Sequence, residues 1–181
     1  MHPFRLLLVT GLPGSGKTTL ARELARHYRL PLLAKDRIKE PLMDVLGLGG
    51  PSSRALSDAA FAVMFAMAKD LLSGDQQVII EGNLRAGEHE AAVLAALEGE
   101  ATIAQVLCRV PESERIRRLL ARSAQATRHP GHADAQQLVR APQCDEFLQL
   151  PGKRLVFGSD AGLSQRELLA RLDDGPLRPG D

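Results

Sequence analysis

Gly11-Leu12-Pro13-Gly14-Ser15-Gly16-Lys17-Thr18 lies between an apolar run, Leu6 to Thr10, and a stretch, Lys17 to Tyr28, in which Leu20, Leu24 and Ala25 recur at helical spacing. The octet fits G-x-x-x-x-G-K-[ST], a glycine-rich turn set between a buried parallel strand and a helix. Its glycines let the backbone wrap closely around phosphate oxygens with N–H groups turned inward. The helix that follows points its positive end at the same anion. Gly11, Gly14, Ser15, Gly16, Lys17, Thr18 and Thr19 are therefore the expected nucleotide cradle. Lys17 reaches the β- and γ-phosphates, and Thr18 offers its hydroxyl to Mg²⁺.

Working outward, Leu32 to Ala34, Val78 to Ile80, Thr102 to Val110 and Lys153 to Phe157 read as four more short buried strands. Helices are expected over Asp36 to about Leu46, Ser53 to about Leu72, Gly87 to Leu97, Pro111 to about Ala124 and Ser164 to Leu172. Asp36 and Ser164 are candidate N-caps, and Pro111 suits a first helical position. On the second of these helices Leu56, Ala60, Val63, Met64, Met67 and Leu71 share one broad face. The alternation of strands and helices argues for a three-layer α/β/α sandwich around a parallel sheet. Ligands in such folds lie beyond the C-terminal ends of the strands, which directs attention to Asp36, to Glu81-Gly82-Asn83 and to Arg85. The expected organisation is one domain over residues 1–172, with a lid at about 112–140 and a flexible Pro-, Gly- and Asp-rich tail at 173–181.

The bulk properties narrow the function classes. Length 181 suits one sizeable core, built with 3% aromatic residues mainly from Leu, Val, Ile and Ala. A net charge of +1 and few aromatic residues argue against extended nucleic-acid binding, which needs a basic groove and stacking platforms. No apolar run approaches the ~20 residues of a membrane span, and Met1 to Arg5 leaves no room for a signal peptide ahead of the first motif. Cys108 and Cys144 match no metal spacing, and a cytoplasmic protein is expected. His129 and His132 are three apart with no third ligand group in evidence, so a lid or substrate role is favoured over zinc. Asn-Lys-x-Asp, the guanine-recognition motif, is lacking.

Residues 6–160 resemble the small P-loop kinases grouped as AAA_33 or predicted kinases. The resemblance is carried by GLPGSGKTT, by Lys35-Asp36-Arg37-Ile38-Lys39, by Val78 to Arg85 and by Arg128-His129-Pro130-Gly131-His132. Relatives of that group include chloramphenicol phosphotransferase, 5′-hydroxyl polynucleotide kinases and zeta toxins. The resemblance implies a P-loop NTPase fold with strand order 2-3-1-4-5 and a helical lid, and it implies ATP and Mg²⁺. It implies that Asp36 faces the acceptor hydroxyl as general base or orienting group. Glu81 stands where a Mg²⁺-side acid lies, while Arg37, Asn83 and Arg85 suit substrate contacts. Arg115, Arg118 and Arg122 share a helical face, and Arg122 with Arg128 are the lid arginines expected over the transferring phosphate. The expected activity is transfer of the γ-phosphate of ATP to a hydroxyl of a small molecule. The alternatives are a 5′-hydroxyl polynucleotide or nucleotide-sugar acceptor, or a nucleotide switch without acceptor.

Overall fold

The computed structural model describes residues 3–47, 53–97, 102–124, 129, 145–158 and 162–175. Five strands, β1 (Leu6–Thr10), β2 (Leu32–Ala34), β3 (Val78–Glu81), β4 (Ile103–Arg109) and β5 (Lys153–Gly158), form one parallel sheet in the order β2-β3-β1-β4-β5. The helices are α1 (Lys17–Tyr28), α2 (Lys35–Leu46), α3 (Ser53–Ser73), α4 (Glu90–Ala96), α5 (Glu112–Ser123) and α6 (Gln165–Asp173). β1 sits centrally, paired with β3 on one side and β4 on the other, and all five of its residues are buried. A strand covered on both faces needs no polar alternation, which is why Leu6 to Val9 is uninterrupted hydrocarbon.

Successive residues of β1 point to opposite faces and serve two separate cores. Leu6 and Leu8 join Phe61, Met64, Phe65 and Ala68 of α3 and Val93 and Ala96 of α4. Leu7 and Val9 join Leu20, Ala21 and Leu24 of α1 and Leu168 and Leu172 of α6. The phosphate-loop helix thus rests on one core, and the helices beyond β2 and β3 rest on the other.

Local structure departs from the sequence reading in instructive places. α3 buries Leu56, Ala60, Phe61, Met64, Phe65, Ala68 and Leu72, while Val63 and Met67 are 44% and 45% exposed. The inward face is rotated from the one expected because the near-parallel rings of Phe61 and Phe65, with His89 against Phe61, take the interior. α2 starts two residues earlier than a cap at Asp36 implies, with Ala34 at the N-cap, so Asp36 lies in the first turn and does not cap. There its charge complements the helix dipole. α2 also continues through Pro41, whose ring offers no N–H to the Arg37 carbonyl. Pro111 is the N-cap of α5, just outside the helix. Ser164 does cap α6, in a reciprocal box with Glu167.

α6 extends through Asp173, whose carboxylate accepts a hydrogen bond from the Tyr28 hydroxyl at 3.1 Å. Lys153 Nζ donates to the carbonyls of Arg171, Asp174 and Gly175, holding the chain that far. In β4, the buried Gln105 amide donates to the Leu148 carbonyl at 3.2 Å and accepts from the Leu148 N–H at 3.0 Å. Residues 125–128 and 130–144, which include Arg128, His132 and Cys144, lie outside the described residues, as do Ser159 and Asp160. No helix among the described residues is long and apolar enough to cross a membrane.

Candidate active site

The turn after β1 needs glycine for two distinct reasons. Gly11 has φ 141°, and a Cβ there would stand 2.5 Å from the Cys108 carbonyl oxygen, so the loop lies hard against the end of β4. Gly14 has φ 87°, and its Cβ would stand 2.9 Å from the Arg115 carbonyl oxygen, so the loop's other flank is pressed on α5. Gly16, left-handed at φ 90°, is the N-cap of α1. The loop is closed by Ser15 N–H donating to the Leu12 carbonyl at 3.1 Å and by Lys17 Nζ reaching the same oxygen at 3.5 Å.

Ser15 is 4% exposed, and its hydroxyl oxygen has no hydrogen-bond partner among the described residues. A buried hydroxyl without a partner costs about 1–3 kcal/mol. A phosphate oxygen placed in the loop would satisfy it. The donors present (Ser15 hydroxyl and Lys17 ammonium, beside the N-terminus of α1) fit the nucleotide phosphates expected there.

Thr18 Oγ1 donates to Glu81 Oε1 at 3.2 Å. That contact joins the first turn of α1 to the end of β3, which lies in register with Val9 of β1 and Ala34 of β2. Glu81 is 3% exposed. Burial pushes its carboxyl above the ordinary range and the charge of Asp36 adds to this, while Lys17, Lys35 and the Thr18 hydroxyl pull the other way. A hydroxyl and a carboxylate this close are oxygen donors of the kind Mg²⁺ takes directly or through water.

Asp36 lies in the first turn of α2, directly after β2, whose Ala34 pairs with Glu81, and its side chain is 45% exposed. Lys35 Nζ is 3.4 Å from Asp36 Oδ1 and stands over the Phe61 ring, 5.8 Å from its centroid. The structure therefore brings Lys17, Thr18, Glu81 and Asp36 to one end of the sheet. Thr19, next in α1, is exposed, and Arg37 is exposed on α2. Asn83 is half-buried in the turn after β3, which Thr10 Oγ1 tethers through the Leu84 carbonyl at 3.4 Å. Arg85 Nη1 meets Glu88 at 2.8 Å, and Arg85 N–H donates to His89 Nδ1 at 3.0 Å. Burial lowers the His89 pKa, which keeps the ring neutral and able to accept.

The α5 arginine whose guanidinium borders the loop is Arg118, whose Nη1 would lie 3.4 Å from a Cβ on Gly16. Glu114 anchors it, accepting from Arg118 Nε at 2.6 Å and from Arg117 at 2.7 and 2.8 Å. Those bonds pull the Glu114 carboxyl down to about 2. Arg115 is buried, its stem packed beside Gly14. Arg122 lies one turn beyond Arg118, in the last turn of α5. His129 Nε2 reaches Asp44 of α2 at 3.0 Å. Burial pushes the Cys108 thiol up to about 12, which makes it an inert backing for the loop.

Lys35 and Lys39, the two ends of the Lys35-Asp36-Arg37-Ile38-Lys39 stretch, are both buried. The available signal was their i, i+4 spacing with Met43, which marks one inward stripe of α2.

Comparison with known proteins adds three findings. The AAA_33 family, an AAA domain, matches residues 6–143. A kinase candidate from Chloroflexus aurantiacus, known from its crystal structure, is 32% identical, covers 85% of this chain and 87% of its own, and superposes with TM-score 0.72. The APS kinase of Mycobacterium tuberculosis in complex with AMPPNP and APS (20% identity, 95% of this chain and 98% of its own, TM-score 0.57) shares the fold. So does a gluconokinase of Sinorhizobium meliloti (17%, 94% and 87%, TM-score 0.55). No match was found among curated proteins.

Proposed function

Because this chain belongs to the AAA_33 family and has the fold of the small P-loop kinases, we propose that it transfers the γ-phosphate of ATP to a hydroxyl of a small-molecule acceptor. The observation that carries the reading is the meeting of the loop and the acceptor side. Thr18 is bonded to Glu81 at 3.2 Å, and the charge of Asp36 acts on the same Glu81.

In this reading Ser15, Lys17 and the loop N–H groups hold the phosphates of ATP. Thr18 and Glu81 hold Mg²⁺, which neutralises charge on the phosphate oxygens when bound. Asp36 accepts the acceptor's hydroxyl proton while that oxygen bonds to the γ-phosphorus and the bond to the ADP oxygen breaks. Arg118 and Arg122, with Arg128, supply donors to charge that develops on the transferring group. Asn83 and Arg85 border the acceptor side, and Arg37 lies at its rim. Lid closure over residues 112–140 excludes water, and the reaction takes place in the cytoplasm.

The test is label transfer from γ-labelled ATP with Mg²⁺ to pools of sugars, hydroxy acids, sugar phosphates, nucleosides and short 5′-hydroxyl oligonucleotides. Transfer to a small-molecule pool, lost in Asp36→Asn while nucleotide still binds, is the expected outcome. Transfer to oligonucleotides alone would replace the small-molecule acceptor. Release of free phosphate unchanged by every pool would refute the kinase reading in favour of a nucleotide switch.

A further inference from the structure

Lys35 and Lys39 occupy successive turns of α2 on the stripe that Met43 continues inward, and they are 7% and 5% exposed. Lysine is among the residues least often buried, and when buried it is paired. Here the pairing is incomplete. Lys39 Nζ donates to the Ser53 hydroxyl at 2.9 Å and makes no ion pair among the described residues. Lys35 has one carboxylate, Asp36, at 3.4 Å. The other acid that Lys39 feels is Asp58, which faces Arg54 at 3.8 Å. Burial, and after it repulsion from the Lys35 ammonium, drops Lys39 to a pKa of about 8. An apolar residue would fill the stripe without these costs, as Met43 does one turn later.

We propose that Lys35 and Lys39 receive an oxyanion carried by the phosphate acceptor, so that the substrate is a hydroxylated acid and not a neutral alcohol. The inference rests on the kinase reading, since it places the acceptor's anion beside Asp36. It also solves a problem that reading creates. When Asp36 takes the hydroxyl proton, its negative charge is lost and Lys35 keeps only the field of Glu81, a carboxyl that burial itself pushes up. A carboxylate or a phosphate or sulfate ester on the acceptor keeps both ammoniums compensated through the step. The same two charges select against cationic acceptors, and they leave a neutral sugar with two unsatisfied donors facing it. Gly82 belongs to this arrangement, because a Cβ there would stand 3.2 Å from the Phe61 ring and 3.3 Å from Lys35 Cβ. A side chain there would crowd both the ring and the lysine stem, which would have to give by a few tenths of an ångström.

The test reads Lys39 directly by NMR of ε-¹³C lysine, with the resonance assigned through Lys39→Arg. The protein is loaded with Mg²⁺ and AMPPNP so that the phosphate loop is filled, and Lys17 serves as the reporter of that loading. Inorganic phosphate, sulfate and glycolate are titrated separately at constant ionic strength in chloride, with ethylene glycol as the neutral control. The expected result is a saturable shift of Lys39 and a rise of its titration midpoint above about 8 with at least one oxyanion, and neither with ethylene glycol. Saturation by phosphate or sulfate alone identifies a phosphorylated or sulfated acceptor, and saturation by glycolate a carboxylic acid. Linear, chloride-like responses to all three anions overturn the proposal. Failure of AMPPNP to move Lys17 would instead count against the kinase reading, and the anion titration is scored independently of it. Once an acceptor is in hand, Lys39→Gln should raise its KM on the order of 100-fold with the KM for ATP unchanged. Neutral alcohols phosphorylated as well as their acidic counterparts would also overturn the proposal.

Discussion

Replacing Lys39 by Met should make the protein more stable at neutral pH. In the fold the ammonium is held at a pKa of about 8 instead of 10.5, so keeping it charged opposes folding. At about 1.36 kcal/mol per pH unit the fall has an upper bound of about 3 kcal/mol. Part of the side chain's field reaches solvent and the Ser53 bond is lost in the variant, so about 1–2 kcal/mol is the expected gain. For a chain of this size that is roughly 3–6 °C in Tm. The pH dependence carries the sign. Below pH 8 both folded and unfolded states bind the proton, and the wild type bears the whole cost. Between about 8 and 10.5 the unfolded chain binds more protons than the folded one, so wild-type stability rises with pH. The advantage of Lys39→Met should therefore be largest at pH 7 and shrink toward nothing near pH 10.5. Paired thermal or urea melts at pH 7, 8.5 and 10 measure it. A variant less stable at pH 7, or a gap that does not change with pH, would refute the reasoning.

Lys17→Ala should abolish phosphoryl transfer with Tm within a few degrees of wild type; turnover at the wild-type rate would remove the loop from the chemistry. Gly14→Ala forces a left-handed residue into the Arg115 carbonyl at 2.9 Å and should cost about 2–4 kcal/mol, together with nucleotide affinity. Urea unfolding and AMPPNP titration check both effects, and a silent substitution would contradict the contact between loop and α5. Arg118→Ala and Arg122→Ala should each lower turnover more than ATP affinity, with Arg118 the larger effect because its guanidinium borders Gly16. Initial rates against ATP concentration separate the two parameters, and a change confined to ATP affinity would place these arginines on the ground state.

How much of this was legible beforehand varied with the physics involved. Gly11, Gly14, Gly16 and Lys17 are spaced by the needs of a phosphate cradle, so the sequence alone located the loop, and β1 and α1 have the bounds it implied. The aliphatic runs marked β1 and β3 because a doubly covered strand must be apolar, whereas β5, expected to be buried, is a partly exposed edge strand that opens with Lys153 and Arg154. The strand order came from the family resemblance, since nothing local to a strand says which neighbour it takes. The inward face of α3 was misjudged because that helix carries apolar residues around much of its circumference. Which of them enters is decided by the fit of Phe61 and Phe65, a tertiary matter. The burial of Lys35 and Lys39 was not legible because charged residues in a helix read as a solvated face. The competing fact, their spacing with Met43, becomes informative only once α3 lies across that stripe. The exposed end of α2 showed the same difficulty in reverse. Val45 is 84% exposed although its character suggests burial.

The division of β1 between two cores bears on how such a protein changes over generations. Substitutions among Phe61, Phe65, Leu84 and Val93 disturb hydrocarbon that α1 does not touch, and those among Leu20, Leu24 and Leu168 disturb hydrocarbon that α3 does not touch. A lineage can therefore try out new α2–α3 surfaces while the half that carries the P-loop helix keeps its own foundation. A protein engineer can make the same exchange by grafting residues 35–73 from a relative, with Leu6 and Leu8 as the only part of β1 that has to fit the graft.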